Sequence, residues 1–221
     1  MKTTLLSLVG LVALTSAPVF ADVGQVKALI FTSQSQLNID GLEARGGSVT
    51  AGGDFTADQA EGDKLNSIGG GVAFEVRLAN QMYLGTQVGY INYDGEDEQG
   101  GYSDLVASGY GALDFWSNDV AGVYGKAGLS YHRLTLENFN NGALKVEGDA
   151  ANLGNYDAGV GARWKLNYAT TLGLEYKYTD TFARSDVDLD VEGAGVSYSG
   201  LKYKDIGITN NEAQASLGFV F

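Results

Sequence analysis

The chain has 221 residues, a formal net charge of −13 and no cysteine. Disulfides therefore cannot hold it together, and an acidic chain without a basic cluster argues against nucleic acid as a partner. Beyond residue 21, no apolar stretch reaches the roughly 20 residues that a spanning helix needs, which excludes a helical membrane protein.

The first 21 residues predict a secretory signal peptide that is cleaved after Ala21. They carry a lysine at position 2 and an apolar run from Leu5 to Leu14, and they end on a small residue. Such a segment would export the chain from the cytoplasm. Residues 22–39 are interpreted as an N-terminal lead-in to which the pattern assigns no structure, although their stretch 25–33 competes with 40–50 for the role of first strand.

From residue 40 onward, alternating apolar and polar residues predict β-strands. The strands are expected near 40–50, 67–79, 82–92, 105–115, 120–133, 156–166, 171–180 and 209–221. Short gaps alternate with long ones, and the long gaps span 51–66, 93–104, 134–155 and 181–208. Short turns on one side and long loops on the other are typical of outer-membrane barrels. We predict an all-β fold, an eight-stranded antiparallel up-and-down transmembrane β-barrel over residues 40–221.

The charged residues of these strands share the face opposite the apolar one. A polar interior within an apolar exterior suits a closed barrel in lipid. An eight-stranded lumen is only wide enough for side chains or one small ligand, and buried charges are tolerated there when they pair. We therefore expect a plugged lumen rather than a channel. The predicted lumen charge network consists of Glu43, Arg45, Glu75, Arg77, Asp114, Lys126, Asp157, Arg163, Lys165, Glu175, Lys177 and Glu212.

His132 is the only histidine, and its position in the alternation points it inward near the long-loop side. Small barrel enzymes that act on lipid A or phospholipid use a histidine together with a serine and a carboxylate. The surrounding sequence SYHRLTL lacks the His-x-Ser-Asn run of the deacylase family, so a structural histidine is the favoured interpretation. No catalytic residue and no cofactor are predicted.

Two acidic runs, DGEDE at 94–98 and DVDLDVE at 186–192, are predicted to lie in long loops. Clustered carboxylates can hold divalent cations, including those that bridge lipopolysaccharide, but only if their oxygens converge. A solvated surface is the alternative, and the metal is left unassigned. The candidate residues for cation binding or surface contact are Asp94, Glu96, Asp97, Glu98, Asp186, Asp188, Asp190 and Glu192.

The signal peptide, the eight strands, the sequence GLEYKYT at 173–179 and the last strand, which ends at Phe221, form one pattern. The chain resembles the small OmpA-like, porin-family outer-membrane barrels of Gram-negative bacteria. The resemblance implies export through the periplasm to the cell outer membrane. It also implies that Leu217, Phe219 and Phe221 form the signal that the barrel-assembly machinery reads.

The expected function is structural or interactive. A monomeric, non-enzymatic barrel would support envelope integrity in contact with outer-membrane lipid and lipopolysaccharide. Its acidic loops would serve surface contact or adhesion to a host or surface ligand that the sequence does not identify. Two alternatives stay open: a small pore or carrier for a hydrophobic solute, and a lipid-modifying barrel enzyme built around His132.

Overall fold

The structure is a computed structural model, and it describes residues 24–39, 41–44, 65–79, 81–93, 102–136, 139–140, 144–193 and 196–221. Within these ranges the chain forms twelve antiparallel strands. They are β1 (Gly24–Asn38), β2 (Gly41–Ala44), β3 (Leu65–Ala79), β4 (Met82–Tyr93), β5 (Tyr102–Ser117), β6 (Ala121–Leu136), β7 (Phe139–Asn140), β8 (Leu144–Gly148), β9 (Ala150–Lys165), β10 (Thr170–Ala183), β11 (Ser185–Gly193) and β12 (Val196–Val220). Among the described residues, no helix is long and apolar enough to cross a membrane.

Eight of the described strands form a closed ring in the order β1, β3, β4, β5, β6, β9, β10 and β12. The ring closes because β12 pairs with β1, from Gln25 opposite Val220 to Asn38 opposite Gly207. Closure leaves none of these eight strands with an unpaired edge. The predicted eight-stranded antiparallel barrel is confirmed.

The barrel begins at Gly24, which corrects the predicted start at residue 40 and the interpretation of 22–39 as a lead-in. β1 pairs along its length with both β12 and β3, whereas β2 makes only a short pairing with residues 201–204. The competitor stretch 25–33 is therefore part of the first barrel strand. Its alternation is hard to see in the sequence because both faces are apolar at mid-strand: Leu29 and Phe31 are buried, while Ile30 is exposed.

The predicted long loops are partly strands. β5 begins at Tyr102, β6 reaches Leu136 and β9 begins at Ala150, so the barrel wall extends into the ranges given as loops 93–104 and 134–155. The range 181–208 is mostly the hairpin of β11 and β12, which also pairs with β8 and β2. We call β2, β7, β8, β11 and residues 196–204 of β12 the extension. Loop 51–66 lies outside the described residues apart from its last two positions.

The two ends of the barrel differ. The turn end carries the turns near Gln81, 118–120 and 166–169 together with Gly24 and Phe221, and the loop end carries the extension. The outer wall is apolar, with exposed fractions of 66% for Ile30 and 62% for Leu129. The inner wall is charged toward the turn end. Toward the loop end it carries an apolar cluster beside buried polar residues such as Asp104 and His132, and this cluster was not predicted. The described members of this apolar cluster are Leu29, Phe31, Ala73, Ile91, Tyr93, Tyr102, Val106, Leu134, Ala151, Leu153, Val187, Leu189, Ile206 and Ile208.

Candidate functional site in the barrel interior

Glu75 on β3 is the most connected carboxylate of the lumen. Its oxygens accept hydrogen bonds from Lys27 Nζ at 2.6 Å, from Gln25 Nε2 at 2.6 Å and from Tyr110 Oη at 2.9 Å. Arg163 Nη1 lies 4.0 Å from the same carboxylate. Because β9 stands opposite β3 in the ring, the Arg163–Glu75 contact joins opposite walls.

Arg163 is the cation shared by two carboxylates. Its guanidinium is ion-paired with Asp114 on β5 and lies over the rings of Tyr83 and Tyr124, at 4.2 Å and 4.7 Å from their centroids. A guanidinium over an aromatic face gains electrostatic attraction. Arg163 therefore ties together the walls at β3, β5 and β9.

Two further ion pairs lie deeper in the lumen. Lys126 Nζ on β6 is 2.6 Å from Glu175 Oε1 on β10, and Tyr124 Oη donates to the same carboxylate at 2.9 Å. Lys177 Nζ on β10 lies 3.2 Å from Glu212 Oε1 on β12. Each of these four charged side chains is at most 4% exposed, so each depends on its partner for the compensation that water would otherwise supply.

Neutral side chains also cross the lumen. Gln87 Nε2 on β4 donates to Gln214 Oε1 on β12 at 3.3 Å. Nearer the loop end, Tyr102 Oη on β5 donates to Ser35 Oγ on β1 at 2.8 Å. Each pair joins strands that are not neighbours in the ring, so each contact crosses the lumen.

The structure places the predicted network residues in three groups. Buried or partly buried on the inner wall are Glu75, Asp114, Lys126, Asp157, Arg163, Glu175, Lys177 and Glu212. Arg77 and Lys165 are exposed at the turn end, where a cavity of about 560 Å³ opens to solvent. Glu43 lies in β2 of the extension, with its backbone paired to Lys202 rather than placed in the barrel wall, and Arg45 lies outside the described residues.

Sequence reasoning missed two lumen charges. Lys27 is absent from the predicted network because residues 25–33 were not assigned as the first strand. Its ion pair with Glu75 forms because β1 is part of the ring. Asp104 was counted within a loop, yet it is fully buried on β5. The available signal was its place in the alternation, since Asp104 shares the parity of Val106 and Tyr110, which also point inward.

His132 points inward, as predicted, and is 1% exposed. Its Nδ1 lies 2.5 Å from Asp104 Oδ2, and its Nε2 lies 3.1 Å from Ser130 Oγ. Because an ionised carboxylate only accepts hydrogen bonds, Nδ1 carries the hydrogen. In the neutral ring Nε2 then accepts the Ser130 hydroxyl hydrogen.

The acidic run at 186–192 lies on β11 of the extension. Asp186, Asp188 and Asp190 are exposed, as the alternation predicted. Lys204 Nζ is 2.7 Å from Asp186 Oδ2 and Lys202 Nζ is 3.4 Å from Asp188 Oδ1. The hydrogen bond from Lys204 holds the pKa of Asp186 below its usual range, with help from the Asp205 amide.

These lysines neutralise carboxylates that a divalent cation would need. Among the described residues, no group of three or more histidine, cysteine or acidic side chains could hold a metal ion. The side chain of Glu192 and the residues Asp94, Glu96, Asp97 and Glu98 lie outside the described part of the chain. Cation binding there stays a prediction.

The C-terminal aromatic strand lies at the turn end. Leu217 and Phe219 are exposed on the outer wall. Phe221 stacks on Phe74 with ring centroids 6.2 Å apart, and its amide donates to the Gly24 carbonyl at 3.1 Å. The proposed assembly signal is thus also part of the seam that closes the barrel.

Comparison with known proteins agrees with this geometry. The family model described as "Outer membrane protein beta-barrel domain" matches residues 7–221. The chain belongs to this family. The protein is accordingly located in the outer membrane of Gram-negative bacteria. No curated protein matches the chain.

Solved structures show the same fold at low sequence identity. OprG from Pseudomonas aeruginosa is 11% identical with a TM-score of 0.55, and the match covers 90% of this chain and 96% of OprG. Neisserial surface protein A is 11% identical with a TM-score of 0.51, covering 89% and 97%. The outer membrane protein AlkL is 13% identical with a TM-score of 0.50, covering 91% and 92%. Identities this low support a shared fold and nothing finer.

Proposed function

We propose that this barrel is a non-conducting outer-membrane protein that supports envelope integrity and presents its extension for surface contact. The observation that carries the proposal is the set of side chains that cross the lumen. Arg163 reaches Glu75 on the opposite wall, and Gln87 reaches Gln214 three strands away. An eight-stranded barrel has no room for a water channel beside such contacts.

The free energy of the buried ion pairs supports a lumen that stays closed. Opening a path would separate ion pairs that join non-neighbouring strands, such as Lys126–Glu175 and Arg163–Asp114. Removing the partner of a buried charge costs about 3–5 kcal/mol. Separating several pairs at once therefore costs more free energy than thermal fluctuations supply.

Planar-bilayer recording of the purified protein tests this directly. We expect no steady conductance from wild type, and a leak from a double variant, Arg163→Ala with Lys126→Ala, that clears two of the cross-lumen contacts. Lys165→Ala with Arg77→Ala removes the same number of cations from exposed positions and should stay silent. Steady wild-type conductance would overturn the plugged-lumen proposal.

Integrity and surface contact need a cellular test. A deletion strain should become more permeable to detergents and large antibiotics, and complementation should restore the barrier. The proposed partners are outer-membrane lipid and lipopolysaccharide, with the barrel-assembly machinery acting during insertion and the barrel remaining monomeric. Binding to abiotic surfaces or host cells should fall when β11 and residues 196–204 are replaced by a short turn. Unchanged permeability and unchanged binding would together contradict this role.

A second candidate function is a carrier for a hydrophobic solute. It is favoured by the apolar cluster at the loop end, where Leu134, Leu153 and Ile208 line the inner wall. Uptake of a radiolabelled alkane or aromatic compound in the deletion and complemented strains would test it. A matched substitution, Leu153→Asp, should reduce uptake if solute enters through this cluster, whereas exposed Leu129→Asp tests non-specific damage.

A further inference from the structure

Asp104, His132 and Ser130 form a hydrogen-bonded relay inside the lumen. Asp104 Oδ2 is 2.5 Å from His132 Nδ1, and His132 Nε2 is 3.1 Å from Ser130 Oγ. Their exposed fractions are 0%, 1% and 6%. Ser130 and His132 are two residues apart on β6 and share the inner face, while Asp104 comes from the neighbouring β5.

This order of groups is the one used for nucleophilic catalysis. A carboxylate fixes the imidazole so that Nε2 faces the hydroxyl, and the imidazole then takes the hydroxyl proton as the oxygen attacks. Such a constellation is recognised by roles and geometry on unrelated folds rather than by its sequence order. Both required hydrogen bonds are present here without rearrangement.

A second, independent observation lies on β9. Asn155 stands directly opposite Ser130 in the β6–β9 pairing and is completely buried. Its Oδ1 accepts a hydrogen bond from Thr181, but its Nδ2 has no hydrogen-bond partner among the described residues. An unpaired buried donor is unfavourable, and a donor beside the nucleophile is what an oxyanion needs.

We propose that Ser130 is the nucleophile of an esterase site whose substrate is a carboxylic ester with an apolar acyl chain. The acyl chain would occupy the space of the apolar cluster, in which Val106 and Leu153 are the cross-strand neighbours of His132. Entry of the substrate from the loop end requires Val187 and Leu189 of β11, which are packed in this cluster, to move away from it. This inference is independent of the proposed envelope role.

The reaction balances with water as the only co-reactant. Ser130 Oγ bonds to the acyl carbon while its proton passes to His132 Nε2, and the Asn155 Nδ2 group donates to the carbonyl oxygen as it becomes negative. The ester C–O bond then breaks and the leaving alkoxide takes the proton from Nε2. Water repeats the attack with His132 as base, releases the fatty acid and restores the Ser130 hydroxyl. Asp104 acts as a positioning residue.

Labelling with an alkyl fluorophosphonate tests the proposal, since this probe forms a phosphonyl–serine bond and releases fluoride. The protein is refolded in lipid vesicles and the modified peptide is identified by mass spectrometry. We expect one adduct, on Ser130, that is absent in Ser130→Ala and reduced at least tenfold in His132→Gln. Ser108→Ala is the matched control, because Ser108 faces Ser130 from β5, and it should label like wild type.

Two further readouts separate catalysis from structure. Hydrolysis of a p-nitrophenyl ester of a medium-chain fatty acid should depend on the same residues, and Asp104→Asn should displace the pH profile of labelling while the barrel stays folded by gel shift. A structural hydrogen bond would leave that profile unmoved. Failure of wild type to label, or equal labelling of Ser130→Ala, would overturn the proposal without affecting the plugged-lumen result.

Discussion

At the scale of single residues, Arg163 and Lys165 make an instructive pair on β9. They are two positions apart and both were predicted to face the lumen. Arg163 is paired with Asp114 and approaches Glu75, whereas Lys165 is exposed at the turn end. The same parity thus gives a partly buried, ion-paired cation at position 163 and a solvated one at position 165.

Replacing Arg163 should destabilise the barrel far more than replacing Lys165. Arg163→Ala leaves the buried Asp114 carboxylate without its cation, which typically costs about 3–5 kcal/mol. Lys165→Ala should change the free energy of unfolding by no more than about 0.5 kcal/mol. Urea unfolding in lipid vesicles measures both. Equal losses in the two variants would contradict the assignment of Arg163 to the plug.

Glycines on the inner wall make room for the tyrosines that support the charges. A Cβ at Gly161 would lie 2.6 Å from the ring of Tyr124, whose hydroxyl reaches Glu175. By contrast, no atom of the described residues lies within 4 Å of a Cβ at Gly109. The absence of a side chain at Gly161 is therefore part of the lumen packing.

Gly161→Ala should accordingly be destabilising and Gly109→Ala should not. Overpacking a filled interior costs about 1–3 kcal/mol, while alanine in place of glycine in an open strand position gains about 0.5–1 kcal/mol. The difference between the two unfolding midpoints is the measurement. A neutral Gly161→Ala variant would show that Tyr124 is free to move.

At the scale of elements, the last strand and the extension behave differently from the rest of the wall. β12 is one strand of 25 residues that serves both the barrel and the extension. Asp205 has a φ of 50° between the two parts, a conformation that aspartate tolerates better than most residues. Its amide donates to Asp186 Oδ1 at 3.1 Å, which ties the base of the β11–β12 hairpin together.

Phe221→Ala should affect assembly more than the finished barrel. The side chain stacks on Phe74, and its loss should cost at most about 1.5–3 kcal/mol of burial. The family resemblance implies that the assembly machinery needs a terminal aromatic residue. Outer-membrane levels of the variant in cells should fall sharply, while protein refolded in detergent should remain folded. Normal cellular levels would argue against an assembly role.

The hairpin of β11 and β12 should loosen in acid. Because the folded-state pKa of Asp186 is depressed by Lys204, its carboxylate stabilises the hairpin above the ordinary pKa of 3.8. That contribution is lost as the pH falls through the lower folded-state pKa. Hydrogen exchange of the hairpin amides should accelerate in this range. Asp186→Asn should remove the pH dependence, and Asp190→Asn should leave it in place.

At the scale of the whole molecule, stability rests on a closed ladder of strands and on the paired side chains of the lumen. Each of the eight ring strands is hydrogen-bonded on both sides. The interior combines ion pairs toward the turn end with an apolar cluster toward the loop end. A strand can separate from the ring only if its backbone hydrogen bonds to both neighbouring strands break.

The barrel should therefore resist detergent until heated. We expect the unheated protein to migrate faster than the boiled protein on a denaturing gel, because the closed form is compact and binds less detergent. The plug variant Arg163→Ala should lose this shift at a lower temperature than wild type. Identical migration before and after boiling would contradict the closed barrel.

The sequence by itself determined the features that depend on a local repeat. A period of two residues predicts strands and their two faces, and seven of the barrel strands, the short turns and the outward position of Phe219 follow from it. The same repeat failed at β1, where Leu29 and Ile30 are both apolar, and at Asp104, which continues β5 into a range expected to be loop.

Only the tertiary structure decided which inward charges meet. Glu75 and Arg163 are 88 positions apart in the chain and come from opposite walls, so their contact depends on the closure and stagger of the ring, which no local pattern contains. The same holds for the relay of Asp104, His132 and Ser130 and for the apolar cluster at the loop end. The alternation of residues predicts which way a side chain points. The curvature of the closed sheet determines which other side chains it contacts.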